Sequence, residues 1–240
     1  MSERKVWDGT IWEFNKSQSN WHFDKNRTPK LGADSYTPIC IFDYDFKKEI
    51  EICTERMKTT KTASLSDVLN LFGDVDEKVL FNGANSNTEI FTRVYANDIP
   101  AFKMMNDFLG LTDSVIFFHY QTTGQVAPLH VDNFANRDDE TDKYDVECVV
   151  DSDTEMSRIV IMLADWELGQ AWMFGNAVYT GWKAGTCITW DWRNMPHGTV
   201  NAGWHPRPIL QITGKHTART NQILKLAKEN LGQPLQSIAL

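Results

Sequence analysis

Three residues, His130, Asp132 and His197, have the types needed to hold one divalent metal ion. His130-Val131-Asp132 closes the run HYQTTGQVAPLHVD. Two positions apart on an extended segment, a histidine and an aspartate point to the same face. One imidazole nitrogen and one carboxylate oxygen can then meet a single ion. His197, in TWDWRNMPHGTVN, supplies a third ligand. Together they would form the 2-His-1-carboxylate face that binds non-haem Fe(II) and leaves coordination positions open. An isolated His-x-Asp is usually structural, so its surroundings decide its weight. Ten residues beyond His197 stands Arg207, at the start of the apolar run RPILQITG. An arginine aimed into a barrel needs an anion, and a carboxylate can pair with its guanidinium in bidentate fashion.

The elements that must position these residues are mostly short strands. After Thr112 the segments SVIFFHYQ, SRIVIMLADW, AWMFG, AVYTGW, TCITWDW and RPILQITG are rich in β-branched and aromatic residues. Gly, Asp and Asn separate them, which predicts a compact β sandwich or barrel. Before Thr112 the pattern is helical. FKKEIEICTERMK, SLSDVLNLFGD and DIPAFKMMNDFLGL carry apolar residues at helical spacing. Ser64 is a candidate N-cap and Gly73 a candidate C-cap of the second of these. PICIFDYDF reads as a short strand or the entry to a helix, and residues 1–36 as an irregular arm. TNQILKLAKENLG predicts a helical tail. The fold class expected is therefore mainly β with flanking helices. No internal repeat or linker divides the chain, so 1–240 reads as one domain.

Composition narrows the function classes. Hydrophobic residues make up 42% of the 240 and charged residues 23%, which excludes collagen-like, coiled-coil and disordered chains. With 24 basic against 32 acidic residues, the net charge of −8 argues against general nucleic-acid binding. Cys40, Cys53, Cys148 and Cys187 are scattered, unlike a zinc cluster or a disulfide framework. MSERKVWDGTIW lacks the apolar stretch of a secretory signal, and no apolar run reaches the ~20 residues of a membrane span. A cytoplasmic protein without membrane contact is expected.

The order strand, His-x-Asp, acidic loop, strands, His, Arg resembles the Fe(II)/2-oxoglutarate-dependent oxygenases over about residues 113–215. HYQTTGQVAPLHVD is similar to the Tyr…Gly…His-x-Asp segment of the prolyl-4-hydroxylase-like branch. GWKAGTCITWDWRNMPHGTVNAGWHPRPILQIT, with His197, Asn201 and Arg207, is similar to the branch that hydroxylates aspartyl and asparaginyl side chains. The resemblance implies a double-stranded β-helix (jelly-roll/cupin-like) core over 113–215. Residues 1–112 would be an arm with helical support, and 216–240 the tail. It implies His130, Asp132 and His197 as Fe(II) ligands, Arg207 on the distal carboxylate of 2-oxoglutarate, and Tyr120 as a hydroxyl donor to that co-substrate. Where many relatives carry Ser or Thr two positions after the arginine, this chain has Ile209, which raises the weight on Tyr120. With O2 as second co-substrate, such an enzyme hydroxylates a C–H bond of a small molecule or a peptide side chain and releases succinate and CO2. A cupin-like metal-binding module, or an iron oxygenase that does without 2-oxoglutarate, is the alternative; neither needs Arg207.

Other residues read differently. Six of the nine tryptophans fall between Trp166 and Trp204. Trp172, Phe174, Trp190 and Trp192 suit a barrel core or a water-excluding pocket wall. His119 must face the side of its strand opposite Tyr120, and reads as structural or surface. His205 reads as a turn residue, and His22 and His216 have no supporting neighbours. Arg158 could meet an anion or the acidic segment 133–157. That segment starts one residue after Asp132 and reads as a lid or a solvated loop.

Overall fold

The computed structural model describes residues 30–33, 35–60, 63–64, 89–130, 155–192 and 195–240. Eight strands build the core: β4 (Thr112–Gln121), β5 (Val126–His130), β6 (Met156–Met162), β7 (Gln170–Phe174), β8 (Ala177–Tyr179), β9 (Thr186–Trp190), β10 (His197–Asn201) and β11 (Arg207–Lys215). They divide between two sheets. The larger contains β9-β6-β11-β4 in that order, and the smaller is β5-β10-β7-β8. Only the β7–β8 hairpin stays within one sheet; every other connection in the eight crosses between them. The first two strands pair with the last two, β4 with β11 and β5 with β10. This is the winding of a double-stranded β-helix. The core is a cupin-like jelly roll.

Further strands widen the larger sheet. On one side β1 (Tyr36–Asp43) pairs antiparallel with β9, and β12 (Ser237–Ala239) runs parallel to β1. On the other side β3 (Glu89–Tyr95) pairs with β4, and β2 (Ala63–Ser64) with β3. PICIFDYDF is thus a strand followed by the entry to a helix that starts at Lys47. EIFTRVY, which has no place in the sequence reading, is β3. The tail holds β12 as well as a helix.

The larger sheet is buried on both faces, which is why β11 reads as a nearly continuous apolar run. Alternation still sorts its residues. Leu210 and Ile212 join Phe118, Ile159 and Ile161 in a cluster beneath the helices. Ile209 joins Met162, Ile188, Trp172, Phe174 and Trp190 in the cluster between the two sheets. The helices are α1 (Lys47–Met57), α2 (Pro100–Leu109) and α3 (Ala218–Glu229). Pro100 opens α2, where its missing N–H costs nothing, and Gly110 closes it in a left-handed conformation. Phe102, Met105 and Leu109 fall on one face and are buried. Removing each from water contributes roughly 1.5–3 kcal/mol. α3 is capped by Thr217, whose side chain and that of Thr220 exchange bonds across the first turn. Ser64, the expected N-cap, ends β2; the rest of the helix expected over SLSDVLNLFGD and the arm before residue 30 lie outside the described residues.

Candidate functional site

His197 and Arg207 both lie on the inner face between the sheets. His197 opens β10, and its Cα partner on β5 is His130, the last residue of that strand. The register therefore sets the two histidine positions side by side. Asp132 lies outside the described residues, as does the side chain of His130. Among the described residues no group of three His, Cys, Asp or Glu side chains is placed to hold a metal ion.

His197 is buried, 4% exposed, with its ring 4.8 Å from that of Trp190. Its Nδ1 lies 3.2 Å from the Met195 carbonyl oxygen. A carbonyl can only accept, so the contact needs the proton on Nδ1, and in the neutral ring Nε2 then holds the lone pair. That is the arrangement in which a backbone carbonyl orients a metal-binding imidazole. In that tautomer Nε2 could serve as one metal ligand.

Arg207 opens β11 on the same inner face, 3% exposed. Its Nε and Nη2 donate to Gln121 Oε1 at 3.1 and 2.6 Å. The guanidinium carbon stands 5.1 Å from the centre of the Trp172 ring. Its Nη1 is buried without a hydrogen-bond partner. Burial pushes the group down to about 9, still far enough above neutral pH to keep it charged. Two further buried donors in the same cluster have no acceptor, Trp172 Nε1 and Trp190 Nε1. A buried N–H left unmade costs about 1–3 kcal/mol, so the orphaned Nη1 of the buried Arg207 cation is a donor that an anionic oxygen would satisfy. Trp172, Phe174 and Trp190 pack with ring centres 5.3–5.5 Å apart and put apolar surface beside the guanidinium.

Tyr120 does not share this face. On β4 the partner of Arg207 is Gln121, and Tyr120 alternates to the other face. There it packs against the cluster beneath the helices, 6.0 Å from Phe118, and burial pushes its hydroxyl pKa up. The expected second anchor is thus corrected. His119, expected to be structural or superficial, takes the inner parity beside Ile209 and is buried, 4.8 Å from the Phe91 ring. Ile209 itself is buried in the inner cluster, so it offers an apolar wall two residues after the arginine.

The remaining expectations sort cleanly. Arg158 donates through Nε to Thr213 Oγ1 at 3.2 Å. His205 is exposed in the turn before Arg207. His216 does have neighbours: Ser157 Oγ at 2.7 Å from Nε2, with Asn221 Oδ1 at 2.8 Å and Glu155 Oε2 at 3.2 Å from Nδ1. This array ties the start of β6 and the end of β11 to α3. Cys40, Cys53 and Cys187 are buried free thiols, and burial pushes Cys53 up to about 12. Cys148, His22 and the acidic segment from Asn133 through Thr154 lie outside the described residues. No described helix is long and apolar enough to cross a membrane.

No protein-family model matches the chain, and no curated protein matches it. Among solved structures, a prolyl-4-hydroxylase from Pseudomonas putida aligns over 77% of this chain and 94% of its own, at 15% identity and a TM-score of 0.47. KdgF from Halomonas aligns over 53% of this chain and 81% of its own, at 8% identity and 0.32. A Cupin 2 conserved barrel domain protein from Salinispora arenicola covers 57% and 84%, at 10% identity and 0.31. The jelly roll rests on strand order, and the chemistry must be argued from residues.

Proposed function

We propose that this chain is a non-haem Fe(II)- and 2-oxoglutarate-dependent dioxygenase that hydroxylates a C–H bond of a small molecule or an amino-acid side chain. The observation that carries the reading is Arg207: a buried cation on the inner face whose one side-chain hydrogen-bond acceptor among the described residues is the neutral amide of Gln121. A metal-binding module with no anionic co-substrate has no use for such a charge, whose burial is costly unless an anion joins it.

His197 and His130, with Asp132 two residues on, would hold the metal. Iron with 2-oxoglutarate and O2 supplies the oxidising chemistry when bound. The chain's own part is positioning. The Met195 carbonyl keeps the proton of His197 on Nδ1. Arg207 binds the distal carboxylate and so sets the orientation of the co-substrate. Trp172, Phe174 and Trp190 exclude water, which strengthens the Arg207–carboxylate attraction.

The test is succinate formation from 2-oxoglutarate by the purified chain with Fe(II) in air, with Arg207→Ala and His197→Ala beside it. Wild type should form succinate, if slowly without its substrate. Arg207→Ala should need far more 2-oxoglutarate, and His197→Ala should lose both the metal and the turnover. A wild-type chain that binds metal stoichiometrically but neither binds nor consumes 2-oxoglutarate would overturn the reading in favour of a metal-binding module.

A further inference from the structure

The amide of Gln121 is held at both ends. Its Nε2 donates to the Ile90 carbonyl at 3.1 Å, and its Oε1 accepts from Arg207 Nε and Nη2. Because a carbonyl can only accept and a guanidinium can only donate, the two contacts allow one orientation of the amide. Gln121 is 1% exposed, so no solvent competes for either end. The Nε–Nη2 edge is the guanidinium's side-on fork. With that edge occupied, the N–H groups left are the two on Nη1 and the outer one on Nη2. The outer pair lies parallel at the far end of the group and matches the two oxygens of a carboxylate. Trp172 lies against the guanidinium.

The choice of an amide matters as much as its place. A carboxylate at position 121 would grip the same edge and neutralise Arg207, leaving little attraction for a ligand. Gln121 fixes the orientation and leaves the charge in force. Resting on the reading above, we propose that Gln121 is the positioning residue that makes Arg207 an end-on carboxylate receptor, and that its neutrality selects for an anionic co-substrate. Tyr120, on the opposite face, has no share in this.

The test compares Gln121→Glu and Gln121→Leu with wild type in the full chain, loaded with Mn(II) to prevent turnover. Gln121→Glu is nearly isosteric; the counter-charge it gives the buried cation offsets the lost donor to the Ile90 carbonyl, so its melting temperature should stay close to that of wild type. Its affinity for 2-oxoglutarate should nevertheless fall at least about tenfold, since the internal carboxylate competes for the same charge. A stable Gln121→Glu that binds 2-oxoglutarate as wild type does overturns the proposal. A second readout needs no ligand: the 15N signals of the Arg207 guanidinium in the metal-free protein. Restricted rotation should give separate Nη signals in wild type and Gln121→Glu, merging in Gln121→Leu. Merged signals already in wild type overturn the proposal even if Gln121→Leu folds poorly. If wild type ignores 2-oxoglutarate, the functional reading fails, and the guanidinium signals alone decide the role of Gln121.

Discussion

The side-chain amide of Asn201, at the end of β10, donates to the main-chain carbonyl of Gln121, at the end of β4, at 3.0 Å. The same amide donates to the His205 carbonyl at 2.9 Å, and its oxygen accepts from Gly203 N–H at 3.1 Å. One fully buried side chain thus pins the end of β4 and the turn that launches Arg207. Asn201→Ala should destabilise the fold by roughly 1–3 kcal/mol, because it strips the donor from the buried Gln121 carbonyl and loosens the turn held at His205. Urea denaturation monitored by tryptophan fluorescence measures this. A loss below about 0.5 kcal/mol, the scale of an ordinary surface change, would show that the pin is unimportant.

How much of this was legible in the sequence depends on each strand's two faces. RPILQITG reads as a strand because its apolar run is short and begins after a turn. α2 reads as a helix because Pro100 precedes Phe102, Met105 and Leu109 at helical spacing. The choice between His119 and Tyr120 is not readable in that way. TDSVIFFHYQ is buried on both faces over much of its length, so alternation of apolar and polar residues marks no inner side. Only its pairing with β11, Gln121 opposite Arg207, decides the parity. Gln121 escaped notice for the same reason, although it stands next to Tyr120. His216 could not be read because its partners come from three elements. β12 is three residues long and gains its identity from β1 alone.

Gly185 turns the chain into β9 with φ of +83°, and a side chain there would overlap the Phe42 carbonyl oxygen. Its backbone also bonds both neighbours: Gly185 N–H to Met162 O at 2.7 Å, and Phe42 N–H to Gly185 O at 2.9 Å. β1 and β6 thus meet over a position where only hydrogen fits. Gly185→Ala should cost more than about 2 kcal/mol, combining left-handed strain with the clash. Gly181→Ala is the control, since φ there is +70° but nothing lies within 4 Å of the added carbon. Equal losses in the two variants would remove the clash from the account and leave strain alone.

Thr217 couples α3 to the end of α2. Its hydroxyl donates to the Gly110 carbonyl at 2.7 Å and accepts from Thr220 N–H at 3.4 Å. Thr217→Ala should lower stability by about 0.5–2 kcal/mol, the range for loss of an N-cap. Thr217→Ser keeps the oxygen and should recover most of it. A serine variant no better than alanine, by thermal unfolding, would assign the effect to the lost methyl group rather than to the cap.

Arg56 on α1 grips Asp98 with two parallel bonds, at 2.8 and 2.7 Å, and its Nη1 also reaches the Tyr95 carbonyl at 3.1 Å. The Arg56 hydrogen bonds hold the Asp98 carboxyl below the usual aspartate range. The folded value is therefore lower than the unfolded one, near 3.9. Such a pair contributes in full above the unfolded value, and its contribution disappears as pH falls through the folded value. Asp98 is 67% exposed and Arg56 37%, so water and salt screen the attraction. Asp98→Asn should cost under about 1 kcal/mol at neutral pH. The gap between variant and wild type should be constant from pH 8 to about 5 and narrow below about 4. Denaturation curves at these pH values, in low and high salt, measure it. A gap that stays the same at pH 3, or is indifferent to salt, would show that the charge of Asp98 is not what joins α1 to the turn before α2.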